Sequence, residues 1–462
     1  MRRRQIVFAA KFRTGSAGEK PEDDMRNIFM TASDARHQTA SGAFDHRLTQ
    51  FYGVSGEALG PYRQRIINAI DRFAVLYGAK PLRVFSVSGR TELGGNHTDH
   101  QHGRVLAGGI SLDMIAIAAP FDGPEIRVCS EGYPEVRISA DETAMIPEEQ
   151  GTTSALIRGI TARFAALGKP VRGFHAYVIS DVPKGSGLSS SAAFEVLIGT
   201  ICNDFFADGA FSQAELAVIS QYAENEYFGK PCGLMDQMAC ALGGVSAIDF
   251  ADSAAPKWEK IRLDLAKEGY SLCIIDSGAD HAGLTDEYAA VPAEMKSVAH
   301  MLGKPVLRDT NESAFWEQLP AIRKACGDRA VLRAMHFYQD NDRVTEQTAV
   351  LRAGSFDRFL ALVNASGRSS EAHLQNISPN GRPQQQAVAV ALALCERLLS
   401  GRGAYRVHGG GFAGTVQAYV PVEMTAQFCA ETERVLGKGA CHVLQIRACG
   451  AAALWDEQEG AE

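Results

Sequence analysis

The 462-residue sequence predicts an α+β chain of two domains, and three observations carry that reading. Gly173 to Val182 (GFHAYVISDV) is rich in β-branched and aromatic residues and predicts a strand, while Ala192 to Phe206 keeps apolar residues at helical spacing. The apolar pattern breaks between Asp252 and Lys267, where Pro256 and a cluster of charges mark a boundary. Ser271 to Asp276 (SLCIID) then starts a second α/β unit, and 462 residues suffice for two sizeable cores. The expected division is an N-terminal extension over 1–45, a first domain over 46–260 and a second over 261–455.

The extension opens on Arg2 to Arg4 with Lys11 and Arg13, and its only apolar stretch, Ile6 to Ala10, is too short for a signal peptide. Acidic residues are absent before Glu19, which leaves an organelle transit peptide open. Residues 19–45 are polar and acidic, so the extension is expected to be poorly ordered. Pro61 to Tyr77 then has helical periodicity, with Pro61 suited to the first helical position and Gly78 to the stop. Val84 to Ser88 predicts a short strand leading into Gly89-Arg90, and further strands follow at Ile110 to Ala118 and Glu125 to Val128. A helix over Ala214 to Phe228 carries Glu224, and Gly244 to Phe250 predicts another strand. In the second unit, helices are expected around Phe356 to Asn364 and Gln386 to Leu399, then a strand pair flanking Gly409 to Gly411. No internal repeat is visible.

Between the strand ending at Val182 and the helix opening at Ala192 lies the most informative segment, PKGSGLSSSAA over 183–193. Glycines let backbone N–H groups close on phosphate oxygens, hydroxyls add donors, and a helix N-terminus favours negative charge. No Lys follows Gly187, so this is not the common P-loop. A lone Gly/Ser loop would read as a turn capped by Ser189. This ordered run between a strand and a helix reads as a nucleotide loop.

Two further segments, GRTELGGNHTDHQHGRVL (89–106) and ENEYFGKPCGLMDQM (224–238), precede RVHGGGFAG (406–414). In this order the chain resembles the GHMP superfamily of small-molecule kinases, and within it the galactokinases, from about Phe51 to Val420. The superfamily loop Pro-x-x-x-Gly-Leu-Ser-Ser-Ala fits Pro183 to Ala192. Gly89, Arg90, Leu93, Gly95, His97, Thr98 and Asp99 match the signature Gly-Arg-x-Asn-Leu-Ile-Gly-Glu-His-Thr-Asp, and Pro231 to Gln237 match Pro-Cys-Gly-x-Met-Asp-Gln. The resemblance implies the two-domain GHMP kinase fold with the active site in the inter-domain cleft. It also implies ATP and Mg²⁺ as cofactors and phosphorylation of galactose to galactose 1-phosphate.

Residue roles follow from the resemblance. Pro183, Gly185, Ser186, Gly187, Leu188, Ser189, Ser190 and Ser191 would cradle ATP, and Ser191 and Glu224 would hold Mg²⁺. Asp236 would accept the sugar hydroxyl's proton with Arg90 as its partner, although a lone Asp in Met-Asp-Gln otherwise reads as a helix cap. Asn96, His97, Thr98, Asp99, Gly233 and Tyr288 would line the sugar, and Gly409 to Gly411 would sit against the phosphate loop. A rival reading makes His97, His100 and His102 beside Asp99 a transition-metal site.

Departures from the signature matter. Asn96 stands where the family has a glutamate that contacts the sugar's 6-hydroxyl, Ser88 replaces a proline, and Thr91, Glu92 and Gly94 also differ. Ala413 replaces the glycine after Phe412. Asn96 therefore leaves galacturonate or a related hexose as an alternative substrate, unless the altered loop lets another residue serve that hydroxyl. A non-catalytic sugar- and ATP-binding sensor is the alternative of a different class. The intact Ser189 to Ala193 and Asp236 favour the enzyme.

Composition sets the bounds. A net charge of −8 without long like-charge runs argues against nucleic acid, and no apolar run approaches a membrane span. Ten cysteines occur without a Cys-x-x-Cys pair, so no zinc ribbon or thioredoxin-like motif is expected. That usage suits reduced thiols in a cytoplasm. The expected state is a cytoplasmic monomer whose partner is a small sugar.

Overall fold

The computed structural model describes residues 29–183, 187–279 and 283–455. Strand periodicity decides where its first sheet sits. Side chains alternate across β1 (Arg83–Gly94) and β2 (Arg104–Pro120), so Val84, Ile115 and Ile117 enter one core while Phe85, Val87, Ala116 and Ala118 enter another. Both faces therefore need a helical layer. The sheet continues through β3 (Glu125–Ser130), β4 (Val136–Ser139), β5 (Phe174–Ser180), β6 (Val245–Asp249) and β7 (Lys257–Ile261). Its pairings are antiparallel except β3 with β5.

Helices α1 (Ala32–Ser41), α2 (Asp45–Tyr52) and α3 (Gly60–Tyr77) cover one face, burying Ala35, Leu48, Phe51, Ile70 and Phe73. On the other face lie α4 (Thr153–Ala166), α5 (Ser190–Ala207), α6 (Gln213–Tyr222) and α7 (Met235–Leu242). The second sheet is antiparallel, built from β8 (Tyr270–Asp276), β9 (Ala404–His408), β10 (Thr415–Pro421) and β11 (Cys441–Leu444) in the order β11-β8-β10-β9. Between β8 and β9 run α8 (Thr285–Met301), α9 (Glu312–Glu317), α10 (Leu319–Cys326), α11 (Asp328–Arg352), α12 (Phe356–Ser369) and α13 (Ala387–Leu399). α14 (Thr425–Leu436) follows β10. Leu272, Ile274, Phe359 and Tyr419 of this unit belong to the same apolar cluster as Phe85 and Val87, so one core crosses between the two sheets.

The chain then returns. β12 (Ala452–Ala453) leaves the second unit and pairs with Phe85 and Ser86 at the outer edge of β1. Just before it, the fully buried Arg447 reaches Ser86 Oγ at 2.7 Å and Asp113 Oδ2 at 3.4 Å. Asp113 also accepts from Tyr52 at 2.9 Å and Arg65 at 2.5 Å, so this buried charge is paired from α2, α3 and the C-terminal segment together.

Several expectations are corrected. The strand expected to stop at Ser88 runs on to Gly94, because register shifts at Gly89 and before Gly94 absorb the irregularity. The helix expected over Ala214 to Phe228 ends its α-helical part at Tyr222 and continues as a π-turn over Ala223–Phe228. α4 and the helical run α8–α11 were not anticipated. The expectation of disorder up to residue 45 fails for 29–45, while 1–28 lie outside the described residues. Thr31 caps α1 by accepting from Asp34 N at 3.1 Å, Gly42 ends it in the left-handed region, and Asp45 Oδ1 accepts from Arg63 Nε at 2.7 Å. Its buried face is only Ala35 and Thr39, too sparse to register as an apolar stripe. Among the described residues no helix is long and apolar enough to cross a membrane.

A chain begun at residue 46 loses the buried Ala35 and Phe44 and the Arg63 partner. Burial of the phenylalanine alone is worth about 1.5–3 kcal/mol. Thermal melts should place this chain several degrees below one begun at residue 29; coincident melts would show that α1 contributes nothing.

Candidate active site

Three segments meet at one side-chain pair. β1 passes beneath the Gly/Ser loop at Gly89, where a Cβ would fall 3.0 Å from the Leu188 carbonyl oxygen. Glycine permits that approach, and Arg90 N then donates to the same carbonyl at 3.2 Å. The Arg90 side chain reaches the first turn of α7, its Nε 2.7 Å from Asp236 Oδ1 and its Nη2 3.0 Å from Oδ2. Its remaining nitrogen, Nη1, donates to the Gly187 carbonyl. Ser189 Oγ donates to Asp236 Oδ2, which the loop achieves by holding Ser189 at φ 58°. A non-glycine residue adopts that conformation only where its surroundings enforce it.

The pair is asymmetric. The Arg90 side chain is 6% exposed and that of Asp236 34%, so the carboxylate faces the cleft and the guanidinium backs it. Burial opposes the Asp236 charge, but the Arg90 guanidinium, its two hydrogen bonds and the Ser189 hydroxyl hold the carboxyl at about 2, below its ordinary 3.8. Of the loop residues, Pro183, Gly187, Leu188, Ser189 and Ser190 lie along the approach to α5, Leu188 fully buried and Ser191 exposed in the first helical turn. Gly185 and Ser186 fall outside the described residues.

Beside the pair lies a second carboxylate group. The π-turn delivers Glu224, buried, with Lys230 Nζ 3.1 Å from Oε1 and Gln237 Nε2 2.8 Å from Oε2. Gln237 Nε2 also reaches Glu195 Oε2 at 3.0 Å. Burial, and then the neighbouring Glu224 charge, push the Glu195 carboxyl well above the carboxylate range. Sequence reading missed Glu195, Lys230 and Gln237 as a group. The available signal was Glu195 itself, an acid inside the apolar run of α5.

The loop after β1 is divided. Half-buried Asp99 packs on Gly233, where a Cβ would fall 1.7 Å from Asp99 Oδ2. Burial and then the neighbouring His100 lower His97 to about 3, so its neutral ring donates from Nε2 to the Gly410 carbonyl at 3.1 Å. Two residues expected at the sugar are bonded within the protein. Thr98 is buried, its hydroxyl held between the Gly95 and Arg104 carbonyls at 2.9 and 2.6 Å. Asn96 is fully buried and spent: Nδ2 donates to Glu92 Oε1 at 3.1 Å and Gly409 O at 2.8 Å, while Oδ1 accepts from Ser370 and Asn376 at 3.2 and 2.9 Å. Both donors and the acceptor of the amide thus find partners inside the protein. The ligand atoms of His97, His100, His102 and Asp99 do not converge within 4.8 Å, so the structure does not support the transition-metal reading.

The second unit closes the site. Gly409, at φ 66°, lies with its would-be Cβ 3.7 Å from the Gly187 carbonyl and 3.8 Å from Arg90 Nη2. The Tyr288 ring packs on Gly410 and its hydroxyl donates to the Gly411 carbonyl at 2.9 Å. Beneath this turn, Arg406 of β9 pairs with Glu92 of β1, both essentially unexposed. A surface cavity of about 610 Å³, lined by Phe29, Lys80, Pro120 and Phe121, shares none of these residues.

The Asp236 pairing has a pH signature. Its carboxyl sits lower folded (about 2) than its ordinary 3.8, so the stability it contributes is full above roughly pH 4 and lost as pH falls toward 2. The melting difference between wild type and Asp236→Asn should therefore be largest near neutrality and shrink between pH 4 and 2. A difference constant across that window would contradict the pairing.

Known proteins give the same picture. Residues 155–244 match the family described as GHMP kinases N terminal domain, and residues 71–120 match the galactokinase galactose-binding signature. The galactokinase of Streptomyces coelicolor is 30% identical over 347 residues, 75% of this chain and 86% of that protein. The galactokinase of Glaesserella parasuis is 29% identical over 358 residues, 76% and 88% respectively. In fold, the crystal structure of Lactococcus lactis galactokinase complexed with galactose has a TM-score of 0.71 at 24% identity, covering 84% of this chain and 99% of that one. The sequence relationship spans most of both chains and both matched segments carry site residues, so the chain belongs to the galactokinase family of the GHMP kinases.

Proposed function

We propose that the chain transfers the γ-phosphoryl group of ATP to the anomeric hydroxyl of galactose, giving galactose 1-phosphate and ADP. The observation that carries this reading is the Arg90–Asp236 pair with Ser189 Oγ on the same carboxylate, directly under the Gly/Ser loop. Phosphoryl transfer is chiefly positioning and charge neutralisation, and this arrangement supplies both. The sugar hydroxyl sits against Asp236, a bond forms from its oxygen to the γ-phosphorus, and the bond from that phosphorus to the β–γ bridging oxygen breaks. A carboxylate held at about 2 is always ionised but weakly basic, so Asp236 takes the proton only as the new bond forms. Arg90 stabilises the charge that develops on the transferring group.

The loop from Pro183 to Ser191 cradles the triphosphate. His97, Asp99, Gly233 and Tyr288 line the sugar, with His97 neutral and Gly233 admitting the Asp99 carboxylate. Galacturonate loses its support, because the Asn96 amide on which it rested is buried and spent. The sensor reading is disfavoured by the contact among Ser189, Asp236 and Arg90, which a purely binding protein does not need. ADP release measured across a panel of hexoses and hexuronates tests the substrate, with galactose expected to lead.

Asp236→Asn should bind ATP normally and lose about a hundredfold to ten-thousandfold in turnover. Retention of more than half the wild-type rate would remove Asp236 from this role.

The donor set beside the pair fits Mg²⁺, which takes hard oxygen ligands. Glu224 offers a buried carboxylate already facing a cation in Lys230, Ser191 an exposed hydroxyl, and the buried Oε1 atoms of Glu195 and Gln237 lack hydrogen-bond partners. Ser191 and Glu224 would hold the ion, which supplies charge neutralisation on the β- and γ-phosphates when bound. Glu224→Gln should raise the Mg²⁺ concentration needed for half-maximal rate and leave sugar affinity, read by calorimetry, unchanged; an unaltered Mg²⁺ titration would sink the assignment.

A further inference from the structure

The second unit gathers three thiols that the sequence keeps far apart. Cys273 lies on β8, Cys441 on β11 and Cys429 on α14. Cys441 pairs with Ile275, two residues from Cys273, so both thiols emerge on the same face of the sheet. α14 packs over that face and lowers Cys429 onto them. The three Sγ atoms lie within 4.8 Å of one another, and those of Cys429 and Cys441 are 3.3 Å apart.

That spacing is the spacing of metal ligands. Thiolate bonds of about 2.3 Å set sulfurs about 3.8 Å apart around a tetrahedral cation and about 4.0 Å apart around a trigonal one. The Cys429–Cys441 separation of 3.3 Å is about half an ångström inside the tetrahedral value, a gap that small side-chain rotations open. Access is also suited, since Cys273 is fully buried while Cys429 on α14 and Cys441 on the edge strand β11 are partly exposed. Cys273 belongs to the apolar cluster of this unit that also holds Val388, Cys395 and Phe428, and Cys429 and Cys441 pack against it.

We propose that Cys273, Cys429 and Cys441 bind a single thiophilic d¹⁰ cation, Zn²⁺ or Cu⁺. Binding forms three metal–sulfur bonds and releases the thiol protons to solvent, with no change in oxidation state. It clamps α14 to β8 and β11. None of its ligands is shared with the Arg90–Asp236 site.

The test uses the full chain, reduced and freed of metal by a chelator that is then removed. Cd²⁺ serves as the spectroscopic probe, and Zn²⁺ and Cu⁺ are titrated in competition with chromophoric chelators. The expected result is one equivalent bound, a thiolate-to-metal charge-transfer band with Cd²⁺, and a melting temperature that rises with metal. In Cys429→Ser and Cys441→Ser affinity should fall at least about 100-fold, as for disrupted metal sites. Cys326→Ser, outside the cluster, should behave as wild type. Melting without metal shows whether the serine variants fold, and the Cd²⁺ band in the unaltered chain needs no variant. Absence of that band, undiminished affinity in both variants, or recovery of a Cys429–Cys441 disulfide as the state of the reduced-purified chain would each overturn the proposal.

Discussion

The ion pair between Arg90 and Asp236 is the constraint on which the site depends. It joins residues 146 positions apart and draws a strand, a loop and a helix to one point. Arg90 is the hub: its backbone holds Leu188, and its side chain holds Asp236 and Gly187. Loss of Asp236 would leave the buried Arg90 guanidinium an uncompensated charge, since only the carboxylate side of the pair is open to the cleft. That cost favours the observed geometry, in which Arg90 Nε, Nη1 and Nη2 all have partners.

A second buried pair does similar work between the two units. Glu92 on β1 and Arg406 on β9 meet where neither is exposed, and Asn96 and His408 complete the network. The family signature carries an amide at the position of Glu92 and a carboxylate at that of Asn96. In this chain they are exchanged, and the two side chains still touch at 3.1 Å. Here the carboxylate of the pair faces the buried Arg406. Read position by position, Asn96 looks like the loss of an acid; read with Glu92, to which it bonds, the segment keeps one acid and one amide.

Much of the frame was legible because its signals are local. The β-branched and aromatic run of β5 and the Pro61 and Gly78 punctuation of α3 report on neighbouring residues only. So does the Gly/Ser run before α5. The fate of Asn96 and Thr98 was not legible, since it depends on Ser370, Asn376 and Gly409, more than 270 positions away for Asn96, and on the curl of the loop for Thr98. The same holds for α1, whose two-residue buried face has no periodicity to detect. The cysteines are the clearest case. Counting pairs within a short window excludes a ribbon, and it says nothing about three residues that a sheet and a helix bring together.

The return of β12 to β1 bears on how the chain is made. Until residues 452 and 453 emerge, the outer edge of β1 presents unpaired N–H and C=O groups at Phe85 and Ser86, and Asp113 lacks its Arg447 partner. A nascent chain of 300 residues already holds every other strand of that sheet, yet it carries an open edge and an under-paired buried carboxylate. Open edges recruit strands from other molecules. Synthesis of the second unit is therefore also the interval during which the first is most exposed to aggregation, and a ribosome stalled late in the message would release a chain that looks nearly finished and is not.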